Sequence, residues 1–448
     1  MTLGFRIVFS IVIVLSISSA IALGQTNETI LATATGIKFT SADLASEPKG
    51  IHERTNEIIA ANRKRFFEQT VSDLLLVTEA KLTGSTADRL VEAEIAKLPK
   101  PTDTKIKEVY DLNRQSLGNR TLEQTRKQIV DFLMKDTIEK AETDLISRLK
   151  IKHKFVVGKD INAIGLKPAD VVFSTSGKPF TASEFEENNR IALSDVRIHI
   201  YEEVLAAIED GMLDKLINIE AAAKNVDPSA LLAAEITDRM RDFTEGERIK
   251  LLTELQSRLF AKYSVKILLP EPPPLVLNVS ADDDPSIGPA TAPVTVVMFI
   301  DYQCSTCGAF GPTVKKVVSE FGTKVRLVVR DFPLESIHEN AFRSALAANA
   351  AARQGKFFEY GALLYANQAS LDEASLLKYA ERLGLNIPKF KADMADPGNA
   401  AEVRKDLTDG NSYGVGGTPT IFINGVKHHS LTEPKFRLAL EKALNAVK

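Results

Sequence analysis

The 448-residue sequence predicts a multidomain chain: a duplicated, mainly α N-terminal region followed by a C-terminal α/β domain with a helical insertion. Three observations predict it. Residues 51–262 carry apolar side chains at three- and four-residue spacing, the period of amphipathic helices. A block starting at Gly36 recurs 141 positions later at Gly177. Near the C-terminal third, a continuous apolar run from Val294 to Ile300 leads straight into Cys304-Ser305-Thr306-Cys307. The length suits two to four domains at roughly 100–200 residues each.

The chain opens on Arg6, an apolar run from Ile7 to Ile17, and small residues at Ser18, Ser19, Ala20, Ala22 and Gly24. Residues 1–24 therefore read as a secretory signal peptide cut after Ala22 or Gly24, and the expected location is periplasmic or secreted. An uncleaved membrane anchor is the alternative, because the apolar run is only slightly short of a span. No cysteine lies near the boundary, which excludes a lipoprotein anchor. Lys plus Arg is 56 and Asp plus Glu is 59, so the basic excess expected of a nucleic-acid partner is absent.

In the helical region, Phe66, Phe67, Val71, Leu74 and Leu75 mark one apolar stripe. Strand signals are confined to short pieces such as Ile151 to Val157 and Asp170 to Phe173. The repeat is more than one motif. Gly36 to Leu44 matches Gly177 to Phe185, and at the same 141-residue offset Glu79-Ala80 matches Glu220-Ala221 and Ala93-Glu94-Ile95 matches Ala234-Glu235-Ile236. A fixed offset over about sixty residues argues for duplication. Leu145 to Leu149 resembles Leu255 to Leu259, now 110 positions apart, so the first copy carries about 31 extra residues near Pro99 to Thr121. The units are residues 25–160 and 161–268. Their Gly-x-x-Phe-Thr starts, Glu-Ala helix ends and closing Arg148-Leu149 and Arg258-Leu259 resemble the N-terminal chaperone module of SurA-type periplasmic proteins. That resemblance implies handling of polypeptide chains. A plain helical spacer or dimerisation arm is the other reading, since amphipathic helices alone do not separate the two.

Residues 269–286 form a linker that should be extended and semi-rigid, with Pro270, Pro272, Pro273 and Pro274 close together. The last domain spans residues 287–448. Val294 to Ile300 and Lys324 to Phe332 read as buried strands, Gly308 onward as a helix containing Pro312, and Glu339 to Asn411 as helices. Thr420 to Ile423, Asn424-Gly425 and Val426-Lys427 read as a hairpin, because Asn-Gly suits a type I′ turn. Glu433 to Val447 closes the chain as a helix.

The two cysteines, Cys304 and Cys307, are the whole complement of the chain. A disulfide-stapled exported protein would spread several along its length, whereas a redox site is better served without spare thiols nearby. Cys304 lies where a strand turns into a helix, so helix N–H groups and the dipole should favour its thiolate, the attacking form. Cys307, one turn later on the same face, can resolve a mixed disulfide. Half a zinc site is the competing reading, but structural zinc wants four ligands and no second cysteine pair exists. His338, His428 and His429 read as ordinary structural histidines.

The motifs Ala292-Pro293-Val294, Asp301-Tyr302-Gln303-Cys304, Arg330-Asp331-Phe332-Pro333-Leu334, Gln354-Gly355-Lys356-Phe357 and Gly417-Thr418-Pro419, in this order, resemble the DsbA-like branch of the thioredoxin superfamily over about 160 residues. The resemblance implies a thioredoxin fold with a helical insertion, a cis Pro419 facing the dithiol, and substrate backbone bound at Thr418, Pro419 and Gly417. It implies no cofactor and no metal. Two positions depart from the family pattern. Ser305-Thr306 stands where proline usually follows the first cysteine, and Met298 stands where relatives carry a buried acid. The expected function is an extracytoplasmic thiol–disulfide oxidoreductase acting on polypeptide cysteines, with direction open. Unfolded or cysteine-containing clients and a redox partner thiol protein are the expected partners. A homodimer through the helical arms is compatible with the sequence. The alternative is a chaperone or scaffold in which the arms dominate and the last domain merely binds.

Overall fold

The structure, a computed structural model, describes residues 28–118 and 120–447. The segment read as a signal peptide, residues 1–24, lies outside the described residues. Among these, no helix is long and apolar enough to cross a membrane.

The N-terminal half starts with a hairpin, β1 (Ile30–Ala34) and β2 (Ile37–Thr40), that reverses at Gly36 with φ +73°. Helices α1 (Ser46–Glu53), α2 (Thr55–Thr83), α3 (Ala87–Ile95), α4 (Asp103–Leu112), α5 (Arg114–Leu117) and α6 (Leu122–Lys152) follow, then β3 (Val156–Val157). A second hairpin, β4 (Val171–Thr175) and β5 (Lys178–Thr181), reverses at Gly177 with φ +79°. It leads into the 43-residue α7 (Ala182–Lys224), then α8 (Pro228–Glu235), α9 (Glu245–Lys262) and β6 (Lys266–Ile267).

Local chemistry repeats with the elements. Thr40 and Asp43 form a capping box, as do Thr181 and Glu184, each reaching back to the cap's backbone N–H at 2.7 Å. Helix α2 ends on Gly84 and α7 on Asn225, both in the left-handed region. Glu79 on α2 is held by Lys152 Nζ at 2.7 Å and His153 Nε2 at 3.0 Å. Glu220 on α7 is held by Lys262 and by the Tyr263 hydroxyl at 2.6 Å. The terminal strands are exchanged: β6 pairs with β1, making the sheet β2-β1-β6, while β3 pairs with β4, making β3-β4-β5. One hydrophobic core consequently runs through both halves, from Leu31 and Phe39 through Phe173 and Phe185 to Leu259. Its strand pieces differ from those legible in the sequence. Ile151 and Lys152 still belong to α6, because Leu149 is buried in phase with the helix. The Gly-x-x-Phe-Thr motif proves to be the hairpin turn itself, with Phe39 and Phe180 pointing into the core.

The proline-rich stretch does not hang free at its C-terminal end. Leu277 is buried and donates its N–H to Gly425 at 2.9 Å, and Val276 bridges to Val426. The C-terminal sheet has the order β11-β10-β8-β9-β7, with β7 (Ser286–Ile287), β8 (Val294–Ile300), β9 (Val325–Asp331), β10 (Thr420–Ile423) and β11 (Val426–His428). Strands β8 and β9 are parallel and fully in register, Val294 to Val325 through Ile300 to Asp331. One face carries α10 (Ser305–Glu320) and α16 (Glu433–Ala446), joined by the inserted helices α11 (Ala341–Ala352), α12 (Phe357–Ala366), α13 (Glu373–Arg382) and α14 (Ile387–Met394). The other face packs Phe299, Val328 and Phe422 under Leu277, Val415 and residues of α15 (Pro397–Ser412), and takes in Ile191 from α7. Lys427 on β11 reaches Asp195 of α7 at 2.9 Å, so the long arm helix is docked on the edge of this sheet.

Candidate active site

Strand β8 is buried along its length and delivers the chain to Asp301, Tyr302 and Gln303 before α10 starts. The helix begins at Ser305, not near Gly308, because Cys304 itself serves as its N-cap. Three hydrogen bonds hold the turn that sets this cap. The Asp301 carboxylate accepts from the Gln303 N–H at 2.7 Å and from the Leu334 N–H at 2.9 Å, and pairs with His338 Nδ1 at 2.7 Å. Gln368, just beyond α12, donates to the carbonyls of Tyr302 and Cys304 at 2.9 and 2.8 Å. Gly308 leaves room for it, since a Cβ there would lie 3.1 Å from Gln368 Oε1.

Cys304 is 9% exposed and Cys307 is fully buried. The Thr418–Pro419 peptide bond is cis, and the Cys304 thiol donates to the Thr418 carbonyl at 3.1 Å. Gly417, Thr418 and Pro419 thus lie beside the dithiol, across the sheet end from the helix. The two thiols are electrostatically opposite. Cys304 is pulled down to about 5, first by the hydrogen bond from the Cys307 thiol, then against burial by the Thr418 side chain and the N–H groups of Cys307 and Thr306. Cys307 is pushed up, first by burial and then by the neighbouring Cys304 sulfur. A thiolate at Cys304 beside a protonated, buried Cys307 is the arrangement that attacks a disulfide and then resolves it.

Several participants carry no motif signal. Gln368 and Asn340 reach the site only through the folded insertion, the latter donating its N–H to Gln303 Oε1 at 2.5 Å. Tyr302 and Tyr365 lie under the dithiol with ring centroids 5.1 Å apart. Met298 is buried on β8 opposite Val329, with no carboxyl in its place. His338 pairs with Asp301 and sits on the loop beside the site. His428 and His429 lie at the β11 edge of the sheet, the His428 ring tilted against Phe436 with centroids 5.7 Å apart. Arg330, fully buried on the opposite face, ties Asp284, Asp406 and Asp409 together. Two groups of carboxylates among the described residues, Asp282-Asp283-Glu402 and Asp284-Glu402-Asp406, cluster closely, and Arg330 pairs with Asp284 and Asp406 of the second.

Residues 280–442 match the family profile described as thioredoxin. The chain is 43% identical over 155 residues to a Na(+)/H(+) antiporter NhaA 3 of Salinispora tropica, a match covering 35% of this chain and 24% of that protein. The chain thus spans about a quarter of the length of the curated relatives it matches, and the antiporter name belongs to those longer proteins. Among solved structures, a thioredoxin-like oxidoreductase from Silicibacter pomeroyi aligns at 27% identity with a TM-score of 0.33, covering 37% of this chain and 92% of that one. Oxidised BdbD from Bacillus subtilis aligns at 22% identity with a TM-score of 0.35, covering 39% and 100%. With its profile match, its β8-turn-α10 dithiol and its cis-proline loop, the C-terminal part of the chain is a thioredoxin-superfamily domain.

Proposed function

We propose that the protein is an extracytoplasmic thiol–disulfide oxidoreductase acting on polypeptide cysteines. Cys304 attacks, Cys307 resolves, and Gly417, Thr418 and Pro419 bind the substrate backbone next to the reacting sulfur. The observation that carries this reading is the Cys304 sulfur at the N-terminus of α10, beside the cis Thr418–Pro419 peptide and lowered to about 5 chiefly by the hydrogen bond from Cys307, while Cys307 stays buried and protonated. A stabilised thiolate favours the reduced dithiol, so the disulfide form is the better oxidant and the favoured direction is donation of disulfides. Replacing Cys304 by Ser should abolish exchange with a model peptide disulfide, and Cys307→Ser should trap the mixed disulfide. Unchanged exchange in Cys304→Ser sinks the reading.

The helical arms form part of the proposal as a duplicated, SurA-like module that holds client chains. The two matched hairpins, the paired capping boxes and the equivalent Glu79 and Glu220 clusters support duplication. Exposed apolar side chains on the arms, among them Leu112, Phe132 and Phe243, favour a second reading in which client holding dominates. A full-length Cys304→Ser, Cys307→Ser protein that suppresses aggregation of a cysteine-free client as well as the wild type supports that reading, and no suppression by either protein removes it.

A further inference from the structure

The turn that presents Cys304 is gripped by a side chain from outside the strand, turn and helix of the dithiol. Gln368 donates both hydrogens of its amide nitrogen, to the Tyr302 carbonyl at 2.9 Å and to the Cys304 carbonyl at 2.8 Å. Both partners only accept, so the chemistry fixes which end of the amide faces them. The Cys304 carbonyl also accepts the Gly308 N–H at 3.1 Å, as α10 begins. The amide lies against Gly308, where an added Cβ would be 3.1 Å from Oε1 and 3.3 Å from Cδ and Nε2. The loop that carries Gln368 is itself fixed. The Asn367 side chain donates to the Leu363 carbonyl at 2.8 Å, and the Ser370 N–H returns to the Asn367 carbonyl at 2.8 Å. The Tyr379 hydroxyl of α13 donates to the Ser370 carbonyl at 2.9 Å, and Leu371 is buried. The insertion does not depend on Gln368 for its seat, because Phe357, Tyr360, Leu364, Leu376 and Phe390 are buried in the same core as the dithiol.

We propose that Gln368 is a positioning residue for thiol exchange: it holds Cys304 in the N-cap geometry from which the sulfur meets the first turn of α10, so the helical insertion sets the reactivity of the attacking thiol. The proposal rests on the thiol–disulfide reading. Cys304 caps α10 with φ −69° and ψ 117°, its own N–H on the Asp301 carbonyl at 3.2 Å. Its sulfur is lowered to about 5 first by the hydrogen bond from the Cys307 thiol and then, against burial, by Thr418 and the N–H groups of Cys307 and Thr306. The Cys307 and Thr306 donors all belong to the first turn of α10, and each loses its aim if the cap rotates. Tyr302 and Cys304 flank Gln303, so the cap cannot rotate without breaking the bonds that Gln368 makes to both carbonyls. Removing the amide frees the turn, weakens the thiolate and destabilises the reduced dithiol relative to the disulfide.

The test titrates Cys304 in the reduced full-length protein by the ultraviolet absorbance of its thiolate. The wild type should show a midpoint near 5. Gln368→Met keeps the bulk of the side chain and removes its donors. It should raise that midpoint by at least about one unit toward the free-thiol value of about 8.5, and shift the glutathione equilibrium of the pair at least about tenfold toward the disulfide. A role in packing alone would lower resistance to urea and leave both readings in place. Gln368→Ala should give the same two shifts, and it decides the matter if Gln368→Met does not fold. A folded variant in which either reading keeps its wild-type value overturns the inference. Failure of the reduced wild type to release thionitrobenzoate from dithiobis(nitrobenzoate) overturns the thiol–disulfide reading itself.

Discussion

Cys304 and Cys307 sit one helical turn apart and hold their protons at opposite extremes. The difference comes from position. Cys304 caps α10 and receives N–H groups, while Cys307 is one turn inside, buried in the core of this domain. The lowered Cys304 value has a stability consequence. An acid whose folded value lies below its unfolded value of about 8.5 stabilises the folded, reduced protein. That contribution is fully present above about 8.5 and is lost as pH falls through about 5. The reduced wild type should therefore gain stability over Cys304→Ser between those limits, as read by urea unfolding under reducing conditions. A difference that stays flat across this window contradicts the thiolate assignment. The cysteines, the cis-proline loop and the departure at Met298 were all legible in the sequence, because each is a local motif. Gln368 was not legible as a site residue, because it reaches the carbonyls of Tyr302 and Cys304 only through the folded insertion.

Elements were legible where one face or both faces are buried. Strand β8 runs over Val294–Ile300 as the apolar run predicts, and the Asn424-Gly425 hairpin turns with both residues at positive φ. Gly425 serves two purposes. Its φ is +81°, and a Cβ there would lie 2.1 Å from the Leu277 carbonyl oxygen. The hairpin turn and the docking of the linker thus depend on the same missing side chain. Gly425→Ala should cost about 1–3 kcal/mol, the range for strain and overpacking combined, measured by chemical denaturation. A neutral effect contradicts the close approach of linker and hairpin. Of the short strands of the N-terminal half, β3 and β4 overlap the pieces legible in the sequence, while β1, β2, β5 and β6 escaped it. The two residues of β6 hold too little period to register, and their partners lie more than two hundred positions away, as with Ala32 and Ile267.

At the scale of the molecule, the chain joins an arm to a dithiol domain through contacts rather than through the linker alone. Ile191 of α7 packs against Gly414, where a Cβ would lie 2.5 Å away, and Asp195 pairs with Lys427 four residues along α7. Gly414 precedes the Gly417-Thr418-Pro419 loop, so the arm helix is seated close to the segment proposed to hold substrate backbone. The exchange of β3 and β6 between the two hairpins binds the arm into one core, which gives it a fixed surface to present. None of this docking was legible in sequence, because it depends on where α7 lands on the sheet edge. The most direct test of the whole account is the equilibrium of the Cys304–Cys307 pair with glutathione in the full-length protein. A thiolate near 5 lies between those of thioredoxin, about 7, and DsbA, about 3.5. The account predicts a single two-electron transition between their potentials of about −270 and −120 mV, absent in Cys304→Ser. No transition, or one at or below the thioredoxin value, contradicts it.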